Sequence, residues 1–220
     1  MSEKEICGRK LVRYEPGFYI RDWSNDRMTM RDINAYKCLD YKDKVVMDIG
    51  GCFGGFCHRA KQWGAKKIIS YEAFKDNYET LKFNCDKMDN VICINRAMIS
   101  GHEGTCDFYP ARGKSLGVGS RLERRGRVKT KVLATNFSVE MNQHRPEILK
   151  VDIEGGEYDL FFNTKIPHYV KQVVMEIHLI GDYMKYNQCP KLLEIFKDWD
   201  VVKKHSITSG NLTTTAAWRR

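Results

Sequence analysis

The alternation of apolar and polar positions is irregular over the first 44 residues and regular after them. Val45-Val46-Met47-Asp48-Ile49 is an apolar run too short for a helix, and it runs into Gly50, Gly51, Gly54 and Gly55 before a segment with helical spacing. That is the pattern of a buried parallel strand feeding a tight strand-to-helix turn. Lys67 to Glu72 predicts a second strand, Asp76 to Cys85 a helix with Tyr78, Leu81 and Cys85 on one face, and Val91 to Ile94 a third strand. Thr105 to Tyr109 and Val128 to Leu133 predict an extra pair of strands, and Glu147 to Asp152 returns to the central sheet. Gln172 to His178, a helix opened by Pro190, Asp200 to Lys203 and Thr213 to Trp218 complete the chain. Such alternation predicts a three-layer α/β/α fold on a mostly parallel sheet. Upstream, Lys10 to Tyr14 and Gly17 to Ile20 predict short strands about Pro16-Gly17, and Ser24 to Leu39 includes a helix. The interleaved aromatic and charged residues there suit either a layer capping the sheet or a lid over a substrate.

Composition narrows the class. With 220 residues, 42% hydrophobic content and no Pro/Gly/Ser-rich linker, one domain is expected, with residues 1–44 as an N-terminal cap on a Rossmann-like core over 45–220. The start, Met1-Ser2-Glu3-Lys4-Glu5, has no signal-peptide core, and no apolar stretch reaches membrane-spanning length, so a cytoplasmic protein without a membrane partner is expected. The eight cysteines form no C-x-x-C pair, which favours reduced and mostly buried thiols. Net charge is +9, yet it is local: Arg112 to Lys131 holds eight basic residues against Glu123 alone, leaving 29 basic and 27 acidic residues elsewhere. A basic loop insertion at about 110–131 is therefore a candidate partner surface, nucleic acid included. Its other reading is a solvated edge whose lysines discourage strand pairing.

The glycine turn asks for a nucleotide-like ligand. A dinucleotide fingerprint fails, because G-x-G-x-x-G begun at Gly50 meets Cys52 and begun at Gly51 meets Phe53; a phosphate loop ending in Gly113-Lys114-Ser115 would need glycine at Phe108. Asp48-x-Gly50-x-x-x-Gly54 on the first turn, with Glu72 ending the second strand, suits S-adenosylmethionine instead, since a carboxylate there can accept both hydroxyl protons of a ribose. Glu72 as a solvated strand end, and Asp48 as a turn acid, are the plain alternatives.

Val46 to Gly51, Ile69-Ser70-Tyr71-Glu72-Ala73-Phe74 with Leu81-Lys82-Phe83-Asn84, and Leu149 to Glu157 resemble the FkbM-type methyltransferases, with Val174-Met175-Glu176-Ile177-His178 matching their following strand. The similarity spans roughly residues 45 to 180, and its most specific part is Lys150-x-Asp152-x-Glu154-Gly155-x-Glu157. It implies a class I S-adenosylmethionine-dependent fold, a seven-stranded sheet with one antiparallel strand, and methyl transfer to a hydroxyl of a sugar or polyketide. Gly51-Cys52 replaces the family's frequent Ala-Asn, and the basic segment is unusual for it.

The expected cofactor contacts are Asp48, Gly50, Gly51, Cys52, Gly54, Phe56, Glu72, Ala73, Ala97 and Asp152. Methyl transfer needs an acceptor atom held in line with the sulfonium methyl, and a hydroxyl acceptor needs help losing its proton. Strand alternation brings Lys150, Asp152 and Glu154 to one face, as candidate catalytic residues with His178. Asp152 is expected to orient or deprotonate the acceptor and Lys150 to stabilise the developing oxyanion; a structural ion-pair network is the competing reading. Glu157, Glu176, Lys114, Arg121, Arg124 and Arg125 are expected on the substrate side. Asp152, Glu154 and His178 could hold a divalent metal, but without ligand spacing no metal is expected. The expected function is O-methylation of a sugar, glycan or other small anionic acceptor; a nucleic-acid methyltransferase and a catalytically silent S-adenosylmethionine-binding module are the alternatives.

Overall fold

The computed structural model describes residues 4–111, 121, 127–179, 188–203 and 213–220. Strands β1 (Lys4–Ile6), β2 (Arg9–Glu15) and β3 (Phe18–Arg21) form a small antiparallel sheet, followed by helix α1 (Asp26–Asp32) and a 3-10 turn over Ile33–Cys38. Phe18, Ile20, Met30, Ile33 and Tyr36 from this segment are buried against Phe53, Phe56 and Cys57 beside the glycine turn. Burial of these aromatic and branched side chains fixes the segment in place.

The central sheet begins with β4 (Val45–Ile49), helix α2 (Gly55–Gln62), β5 (Lys67–Tyr71), helix α3 (Lys75–Cys85) and β6 (Val91–Ile94). Next come β7 (Ala97–Ile99), β8 (Gly104–Phe108), β9 (Thr130–Asn136) and helix α4 (Phe137–His144). After these, β10 (Ile148–Val151), helix α5 (Glu157–Asn163), β11 (Gln172–His178), helix α6 (Gln188–Glu194), β12 (Asp200–Lys203) and β13 (Thr213–Arg219) complete the described chain. The seven-stranded sheet has the order β12-β13-β11-β10-β4-β5-β6, and β13 runs antiparallel to both of its neighbours while the other pairs are parallel. This is the class I methyltransferase arrangement, with the order reversing between β4 and β10, where the carboxyl ends of two strands diverge into a crevice.

The residue period sets the layers. Val46, Ile68 and Ile148 pack on one face with α2 and the N-terminal segment, whereas Met47, Ile69, Leu149 and Val173 face the other core with Phe137, Leu160 and Phe161. Both faces are covered, which is why these strands are apolar throughout. No helix among the described residues is long and apolar enough to cross a membrane.

Four elements differ from the sequence reading, the first being β1 (Lys4–Ile6), which no periodicity announces. The extra strand pair is a separate three-stranded sheet, order β7-β9-β8, because β9 extends to Asn136 and pairs in parallel with Ala97–Ile99. Three residues carry too little periodicity to announce β7. Helices α4 and α5 also go unannounced, and α5 starts directly after the glycine pair at Gly155-Gly156 and is only seven residues long.

Candidate active site

Crowding dictates the glycines of the first turn. Gly50 has φ +93°, and a Cβ there would lie 1.9 Å from the Asp152 carbonyl oxygen; at Gly51 it would lie 2.2 Å from Ser70 Oγ. Only glycine lets β4 turn this tightly against the end of β10. Cys52 follows at φ +49°, and its amide donates to Glu72 Oε2 at 2.8 Å. Phe74 N donates to Glu72 Oε1 at 2.8 Å, and Asn77 Nδ2 reaches the same oxygen at 3.4 Å. Glu72 is buried, and burial pushes its carboxyl up to about 7 in spite of these amides.

Beneath the turn lies Lys150. Its Nζ donates to Gly50 O at 2.7 Å and pairs with Asp48 Oδ1 at 3.0 Å, while Asp152 Oδ2 is 3.8 Å away. Burial opposes its charge, but Asp48 and Asp152 hold the ammonium above its ordinary value. Asp48 Oδ2 accepts from Ser70 Oγ at 2.7 Å. The pair therefore knits β4, β5 and β10 at the point where they diverge.

Across the crevice, His178 at the end of β11 faces a group of carboxylates. Its Nε2 is 3.6 Å from Glu154 Oε2, 3.9 Å from Asp152 Oδ1 and 4.0 Å from Glu176 Oε1, and Nδ1 is hydrogen-bonded to Glu157 Oε1 at 2.8 Å. Burial opposes protonation of the imidazole, yet Glu157, then Glu154 and Asp152, raise it to about 10. Tyr36 Oη lies 3.2 Å from both Asp152 Oδ2 and Glu176 Oε2, within hydrogen-bond reach of each. Its phenol is held well above the ordinary value by burial and by those two acids.

One cavity joins these groups. Of the residues expected at the cofactor, Gly50, Gly51, Cys52, Phe56, Glu72, Ala73, Ala97 and Asp152 line it; Asp48 sits behind the turn, and Gly54 caps α2 against Leu81. Lys150, Asp152 and Glu154 line it too, with His178 behind them, though not through strand alternation: β10 stops at Val151 and Glu154 turns at φ +58°. Of the substrate-side residues, Glu176 and Arg121 reach the cavity, with Arg121 paired to Asp159 at 2.8 Å; Glu157 is fully buried behind His178. Lys114, Arg124 and Arg125 lie outside the described residues. Sequence reasoning missed Tyr36, Asn77, Arg96, Met98 and Phe108, which line the cavity as well. Only Asn77 had a usable signal, lying one turn after Glu72 on a predicted helix.

The family model for the methyltransferase FkbM domain matches residues 48–202. No curated protein matches the chain. Among solved structures, it resembles a ribosomal protein L11 methylase from Lactobacillus delbrueckii subsp. bulgaricus (12% identity, 89% of this chain and 78% of that one, TM-score 0.46). It also resembles a candidate methyltransferase from Escherichia coli (13% identity, 100% and 98% covered, TM-score 0.48) and a candidate hemolysin from Streptococcus thermophilus (15% identity, 95% and 73% covered, TM-score 0.49). At these scores the three structures carry no functional argument, and the fold rests on the strand order itself.

Proposed function

We propose that this chain, which belongs to the FkbM methyltransferase domain family, methylates a hydroxyl on a sugar, glycan or other small anionic acceptor held between the glycine turn and the N-terminal segment. It is a methyltransferase with S-adenosylmethionine as its methyl donor. The observation that carries this reading is a cavity lined both by buried Glu72 and by the Asp152, Glu154 and Glu176 carboxylates.

The residues fit the donor. Once ionised, Glu72 is an acceptor-only group held by two amides and Asn77, with lone-pair capacity left for ribose hydroxyls. Gly50 and Gly51 leave the turn without side chains, so a ligand can lie against its backbone. Bound there, the cofactor supplies an electrophilic methyl on a sulfonium, which leaves as the carbon–sulfur bond breaks and a carbon–oxygen bond forms.

Asp152 is assigned to orient the acceptor hydroxyl and take its proton, with Tyr36 holding the carboxylate in place. Lys150, spent on Gly50 and Asp48, positions the turn in this reading and is not a donor to the acceptor. Arg121 and the cap formed by residues 1–44 are assigned to the acceptor side, where a guanidinium suits an anionic group.

Methyl-labelled S-adenosylmethionine incubated with separate pools of glycans, small metabolites, RNA and DNA tests the assignment. Label in the glycan or small-metabolite pool, on oxygen, is expected. Label confined to RNA or DNA would sink it in favour of a nucleic-acid acceptor served by the basic segment.

A further inference from the structure

Three carboxylates stand around His178 Nε2 without closing on it. Nε2 meets Glu154, Asp152 and Glu176 at 3.6, 3.9 and 4.0 Å, beyond hydrogen-bond distance from each. One ligand atom from each of Asp152, Glu154 and His178 falls within a 4.8 Å group. Donor atoms that each stand about 2.1–2.3 Å from a shared ion are separated from one another by roughly 3–4.5 Å. The spacing is that of donors arranged about a common centre.

The outer contacts are arranged the same way. Glu157 takes the Nδ1 side of the imidazole at 2.8 Å, which fixes the ring and leaves Nε2 toward the carboxylates, as the carboxylate behind a metal-bound histidine does. Tyr36 lies against Asp152 Oδ2 and Glu176 Oε2, while it is their other oxygens, Oδ1 and Oε1, that face Nε2. Four carboxylates therefore gather around one imidazole, and the nearby Lys150 is closer to Asp48 than to Asp152.

We propose that Asp152 Oδ1, Glu154 Oε2 and His178 Nε2 bind a divalent cation, with Glu176 in reach, and that the acceptor oxygen completes its coordination. A donor set of carboxylates with one imidazole suits Mn2+ better than Ca2+, which takes oxygen ligands only. The ion would hold the acceptor beside the donor and lower the pKa of its hydroxyl. That role rests on the O-methylation reading above; binding of the ion does not.

The full chain, freed of metal with a chelator and without S-adenosylmethionine, is titrated with Mn2+ while the electron paramagnetic resonance of the free ion is followed. One Mn2+ per chain is expected, with affinity at least about ten-fold weaker in Asp152→Asn and in Glu154→Gln. Glu15→Gln, remote from the cluster, should bind as the parent does. A cooperative thermal unfolding transition and an unchanged far-ultraviolet circular dichroism spectrum show that each variant is folded. No stoichiometric Mn2+ on the parent chain, or equal binding by the folded variants, overturns the inference. Methyl transfer to a glycan or small metabolite that survives complete chelation would overturn the ion's role while leaving O-methylation standing. Stoichiometric Mn2+ with label only in nucleic acid would overturn the O-methylation reading and the role that rests on it, while leaving the binding of the ion standing.

Discussion

Lys150 Nζ donates a hydrogen bond to the carbonyl of Gly50 at 2.7 Å, joining residues 100 positions apart in the chain. The same ammonium is paired with Asp48 at 3.0 Å, and both side chains are almost wholly buried. The glycine turn is thus held from below by β10, the strand whose end carries Asp152. The glycine turn and the loop that follows β10 are tied to one another by this side chain and by the Asp152 amide, which donates to Ile49 O at 3.0 Å.

Lys150→Met should leave Asp48 buried without its counter-ion, and such a loss costs about 3–5 kcal/mol of stability. Adding Asp48→Asn should return part of that cost, so the double variant is more stable than the sum of the two single changes predicts. Chemical denaturation of the four proteins measures the coupling; strict additivity would show that the pair does not hold the turn.

Glu72→Gln should weaken S-adenosylmethionine binding about 10- to 100-fold, the scale of a hydrogen bond to a charged acceptor. In the parent chain the affinity should also rise between about pH 6 and 8, because ribose hydroxyls favour the ionised carboxyl and burial has moved its titration to about 7. Isothermal titration across that range should show the slope in the parent and its absence in Glu72→Gln.

The raised carboxyl of Glu72 has an opposite consequence for the unliganded fold. Between the ordinary value of 4.5 and about 7 the folded chain holds a proton that the unfolded chain has lost, so this group's contribution to stability falls as pH rises through that window. Thermal unfolding without cofactor should show Glu72→Gln gaining on the parent as pH rises from about 5 to about 8. A constant difference would place the carboxyl's titration elsewhere.

Glu15 works in the reverse direction. Burial opposes its ionisation, but hydrogen bonds from Arg59 and His58 lower it to about 2, so the stability it contributes is present above 4.5 and lost as pH falls toward about 2. These contacts tie the N-terminal sheet to α2. Acid titration should loosen the N-terminal segment in that window, seen as faster amide exchange over β2 and β3, and Glu15→Gln should remove the pH dependence.

Tyr36→Phe removes the hydroxyl between Asp152 and Glu176 and keeps the ring packed on Phe56. Turnover should fall about ten-fold or more, with S-adenosylmethionine affinity unchanged, because two carboxylates lose their fixed orientation. A matching loss of cofactor affinity would mean that the phenol supports the turn instead.

The strands of the central sheet, the apolar faces of Val45–Ile49 and Gln172–His178, the glycine turn and Glu72 were legible in the sequence, because local periodicity and turn chemistry are short-range properties, whereas the short elements β1, β7, α4 and α5 were not. Lys150, Asp152, Glu154 and His178 were visible as residue types near strand ends. What only the tertiary structure decided is how they are paired: Lys150 turns beneath Gly50, Glu154 leaves the strand at positive φ, and His178 meets carboxylates from β10's end across the sheet. Tyr36, from a segment with no clean period, is set between Asp152 and Glu176, 116 and 140 residues away. Parallel strands place the carboxyl ends of distant segments side by side, and no spacing along the chain encodes that adjacency.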